Sequence, residues 1–73
     1  MRQVIAEHAQ RCVGHLGRIT IGRLRRDAHG IHETMVTLIT PTEIVTYAAW
    51  AADGAVGMTE TARRTLPELP LLG

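Results

Sequence analysis

Residues 18–40 hold two runs rich in Ile, Val and Thr, Arg-Ile-Thr-Ile-Gly-Arg-Leu-Arg-Arg and Ile-His-Glu-Thr-Met-Val-Thr-Leu-Ile-Thr, separated by Asp-Ala-His-Gly. Branched side chains fit a pleated surface, and Asp and Gly reverse the backbone, so this pattern specifies an antiparallel β-hairpin. The turn falls at residues 27–30, with Gly30 as the residue at positive φ. The first arm has a fault in its alternation: Ile19 and Ile21 share a face, but Leu24 falls on the other. Either a bulge at Gly22 returns Leu24 to the apolar side, or the strand stops near Gly22. The second arm is apolar on both faces over residues 35–39, and such a strand needs cover on both.

The flanking segments read as helix. Val4, Ile5, Ala9, Cys12, Val13 and Leu16 recur at the three-to-four spacing of one apolar stripe, which predicts a helix over 2–16. Thr40, Pro41 and Glu43 stand as N-cap, first helical residue and capping-box acid, which predicts a helix from there to Asp53, stopped by Gly54. A short third helix is expected over about 60–66, where Glu60 and Arg64 stand four apart and Pro67 ends it. The expectation is therefore one α+β domain over 1–73, ordered α-β-β-α(-α), its hairpin packed by helices, with 67–73 an extended apolar tail.

Seventy-three residues with no Phe, one Tyr and one Trp leave little bulk for a core. A chain of this size buries only about 60% of its unfolded surface, and such domains commonly rely on a disulfide, a metal or a partner. Cys12 is the one cysteine, so no internal disulfide can form. The lone thiol, the absence of a signal-like apolar segment and the absence of a membrane-length apolar run predict a cytoplasmic protein. Net charge is +1 but uneven: residues 1–26 carry six Arg against Glu7, and residues 27–73 carry two Arg against six acids. With no Lys, Asn, Ser or Phe, the composition fits a GC-rich coding sequence rather than a demand for arginine as such.

Three constellations follow. The first is an interface set, Met35, Leu38, Tyr47, Trp50, Leu69, Leu71 and Leu72, through which the chain would form a homo-oligomer, a dimer foremost, or grip another protein. The second is Arg18, Arg23, Arg25 and Arg26, which could neutralise phosphates as a nucleic-acid-binding ribbon or could serve as a solvated edge that resists aggregation. The third is Cys12 and His15 with His29 and His32, two pairs spaced like zinc ligands, against which Cys12 is also a fitting small apolar residue. No cofactor is called for, and no membrane partner. With no Ser, no phosphate-cradling glycine loop and no spacing that forces carboxylates together, the sequence reads as a non-enzymatic interaction or regulatory module.

Overall fold

The computed structural model describes residues 1–67, and within them the protein is an α+β domain with one helix and a five-stranded antiparallel sheet. Helix α1 spans Arg2–Val13, followed by strands β1 (Arg18–Ile21), β2 (Arg25–Arg26), β3 (His32–Ile39), β4 (Glu43–Ala52) and β5 (Ala55–Thr65). The sheet order is β1-β3-β4-β5, and β2 extends β1 along the same edge of β3. Among the described residues no helix is long and apolar enough to cross a membrane.

The expected hairpin forms. Asp27 closes its turn: the carboxylate Oδ1 accepts from the backbone N–H of His29 at 2.8 Å and of Ile31 at 3.0 Å, and Gly30 sits at φ 81°. The irregularity at Gly22 combines the two readings of the first arm. Ile21 faces Val36 and Arg25 faces Glu33, so the three residues 22–24 oppose the two residues 34–35. The one extra residue turns Leu24 back against the core, as a bulge does. Arg2 ties α1 to this break, its Nη1 and Nη2 donating to the carbonyls of Gly22 at 2.9 Å and Ile21 at 3.0 Å.

The two helices expected after the hairpin are strands. Residues 43–52 form β4, and the segment expected as a third helix lies within and just past β5. Thr40 does accept the hydrogen bonds of an N-cap, from Glu43 N–H at 2.9 Å and Thr42 N–H at 3.2 Å. However, Thr40 N–H also donates to the Glu43 carbonyl at 2.9 Å, which closes a hairpin loop instead of opening a helix. Glu43–Ala52 then alternates, with Val45, Tyr47, Ala49 and Ala51 buried. At its far end Asp53 and Gly54 lie at φ 44° and 79°, the two positive φ values of a tight hairpin turn that suits the twist of the strands it joins. The supposed helix stop is a reversal between strands. An extra residue at Thr61 shifts the β4–β5 register, and its hydroxyl donates to the Thr46 carbonyl at 3.1 Å.

The helix covers one face of the sheet. Ile5 and Ala9 of α1, Val36 and Leu38 of β3, and Val45, Tyr47, Ala49 and Ala51 of β4 form the core. The buried stripe of α1 is narrower than its sequence implies, since Val4 and Cys12 stay exposed, and the helix ends at Val13 rather than at the expected residue 16, with Leu16 exposed beyond it. On this covered side, Arg63 bridges two carboxylates: Nη1 reaches Glu43 Oε2 at 2.8 Å, and Nη2 reaches Glu60 Oε1 at 2.8 Å. Hydrogen bonding from Arg63 holds the Glu60 carboxyl below its ordinary value of 4.5. The tail expected over 67–73 lies outside the described residues apart from Pro67.

Two outcomes test this architecture. Leu38→Ala should cost about 2–5 kcal/mol in urea unfolding, whereas Met35→Ala on the same strand should cost about 0.5 kcal/mol or less; equal costs would contradict the register. A depressed carboxyl adds stability above its unfolded pKa that is lost as pH falls through its folded one. Wild type should therefore lose stability below about pH 4.5 more steeply than Glu60→Gln, as thermal melts across an acid series would show.

Candidate functional site

Among the described residues, no layer lies over the second face of the sheet. Side chains alternate along a strand and direct cross-strand partners share a face, so the pairing registers define four rows on this open side. The first runs Arg25, Glu33, Trp50, Gly57 across β2, β3, β4 and β5. The second is Met35, Ala48, Thr59. The third is Thr20, Thr37, Thr46, Ala62, and the fourth is Arg18, Ile39, Ile44, Arg64.

The rows sort the surface into an apolar and threonine-rich centre with cations at its corners. Met35 (49%), Ile39 (39%) and Trp50 (40%) remain strongly exposed. A concavity of about 790 Å³ opens at the Trp50 end, walled by Arg23, Arg25 and Glu33 and floored by Met35, Ala48 and Trp50. Gly57 decides how Trp50 lies: a Cβ there would stand 2.7 Å from the indole Cε2, Cζ2 and Nε1, so only glycine lets the ring rest on β5. Among the described residues the ion pairs involve Arg63 alone of the arginines, leaving Arg18, Arg23, Arg25 and Arg64 to solvent.

The expected interface set divides by strand parity. Met35 and Trp50 are on the open face. Leu38 and Tyr47 are 2% and 8% exposed inside the core beneath α1, so they cannot meet a partner, a correction that follows for Leu38 from its opposite parity to Met35 on β3 and for Tyr47 from β4 being a strand. Leu69, Leu71 and Leu72 lie outside the described residues. Ile39, Ile44, Ala48 and Arg64 were missed. Reading 43–52 with a period of two finds the two on β4, since Ile44, Ala48 and Trp50 then share one side, and the same period on β3 puts Ile39 with Met35.

The arginine set is split as well. Arg18, Arg23 and Arg25 border the open face, whereas Arg26 pairs with His32 in register and so lies on the other side. The zinc-spaced residues are not assembled: among the described residues no three His, Cys, Asp or Glu groups cluster as metal ligands would. Cys12 contacts His8 across one helical turn at 3.6 Å. His32 Nδ1 is buried without a hydrogen-bond partner, but among the described residues His32 belongs to no group of three metal-ligating side chains. No protein family, curated protein or solved structure matches the chain.

The seating of Trp50 is directly testable. Gly57→Val should displace the indole from β5 and shift its emission to longer wavelength while far-UV circular dichroism keeps its strand signal. An unchanged emission maximum would mean that Gly57 does not seat the ring.

Proposed function

We propose that this protein is a non-enzymatic interaction module whose working surface is the open face of its sheet, and that a second copy of the chain is one occupant of that face. The observation that carries this reading is the joint exposure of Met35, Ile39 and Trp50 on a sheet whose single helix covers only the opposite side. Four strands about 4.8 Å apart and eight residues of about 3.3 Å rise span roughly 500 Å². Its centre clusters the apolar side chains of Met35, Ile39, Ile44, Ala48 and Trp50, and exposed apolar clusters are often functional. Two such faces would bury about 1,000 Å², the lower bound for specific association, so the dimer is weak and reversible.

The rim sets how salt acts on this dimer. Each copy brings Arg18, Arg23, Arg25 and Arg64 against Glu33, so approaching faces repel at long range. Raising ionic strength from about 0.15 M to about 1 M shortens the Debye length from about 8 Å to about 3 Å and relieves that repulsion.

Sedimentation across a concentration series should show a dimer fraction that rises with protein and with salt. Met35→Glu, which places a charge at the centre of the face, should leave a folded monomer throughout. Wild-type protein that stays monomeric at every concentration and salt would overturn the reading.

A further inference from the structure

We propose that the open face also binds single-stranded nucleic acid, with a base stacked on Trp50 and the phosphates held by the arginines at its corners. This goes beyond self-association, because it names a second occupant of the same surface with a different charge. Four arginines against Glu33 give the face a net charge of +3, which repels another copy and attracts a polyanion.

The placement of the charges favours a chain over a small anion. Arg23 and Arg25 wall the concavity beside Trp50, and Arg18 and Arg64 stand in the fourth row. Three intervals of two residues at about 3.4 Å each separate those ends by roughly 20 Å. One small anion can engage one end, whereas a strand with a phosphate at every unit can engage both. Between them lie Thr20, Thr37 and Thr46, whose hydroxyls can donate to or accept from bases and sugars.

Trp50 favours a single strand over a duplex. Its ring rests on Gly57 and stays 40% exposed beside the arginines, as a stacking platform requires. In a duplex the base faces are already stacked on each other, and only phosphates and groove edges would be offered to the indole. An acidic protein segment would satisfy the arginines but brings no base to stack.

The test is fluorescence anisotropy of a labelled oligothymidylate across a salt series, with Trp50 emission followed in parallel. Neutralising about four phosphates should give a slope of log affinity against log salt near −3. Arg25→Ala should reduce that slope by about one, and Trp50→Ala should weaken binding roughly tenfold with the slope kept. Arg26→Ala, on the opposite side, should change neither. If Trp50→Ala loses its fold, quenching of the wild-type indole reads the same contact. No binding, an unquenched Trp50, equal binding of a duplex, equal displacement by polyglutamate, or an Arg26→Ala effect matching Arg25→Ala would each overturn the proposal. The dimer would be untouched by that outcome, since it forms without oligonucleotide and strengthens with salt where this complex weakens.

Discussion

Everything in this fold depends on β3 being paired along both edges while, among the described residues, only one of its faces is covered. β1 and β2 take one edge and β4 the other, so the backbone of His32–Ile39 is the spine of the sheet. Its side chains then go alternately up and down: Val36 and Leu38 into the core, Met35 and Ile39 away from it. A single 12-residue helix can roof only one side. A strand apolar on both faces thus gives one core and one surface, and the surface is the consequence of having one helix rather than two.

How much of this the sequence reveals depends on which local signals agree. The first hairpin was legible because β-branched arms, the Asp27 turn and Gly30 all point the same way. The second half was misread because two signals conflicted. Thr40, Pro41 and Glu43 make a helix-start motif, and four alanines downstream favour helix. Yet Ile44, Val45, Thr46 and Tyr47 are strand formers, and Asp53-Gly54 is a strong hairpin dipeptide. The Thr40 hydrogen bonds are nearly the same in either outcome, because a cap and a tight turn both satisfy the N–H groups that follow. The free edge of β3 decides between them: its backbone groups need partners, and a following strand supplies them where a helix cannot.

The error in period carried into the site. On a helix, Trp50 falls away from Ile44; on a strand the two share a face, and Tyr47 moves to the other one. So Met35 and Trp50 stand exposed, while Tyr47 belongs to the core through the change of period and Leu38 through the alternation of β3 itself. Gly57 illustrates a limit of reading along the chain. Along the sequence it is only a small residue three positions after Gly54, and its role beneath the indole exists only once β5 lies beside β4.

The sheet's edges are poorly suited to adding a further strand. Strands with bare edges invite pairing with other strands, and natural sheets blunt them with charge, bulges and breaks. Here the β1–β2 edge is interrupted after Ile21 and lined by Arg18, Arg23, Arg25 and Arg26. The β5 edge is long, but the extra residue at Thr61 distorts it, and Glu60, Arg63 and Arg64 follow one another along its second half. Arg63 is already engaged by Glu43 and Glu60, which fixes that charge in place. The charge asymmetry of the sequence thus has a spatial meaning: the basic half supplies one guarded edge, and the mixed half supplies the other. With both edges guarded and one face roofed by α1, the face bearing Met35, Ile39 and Trp50 is the surface on which apolar contact and charge can act together.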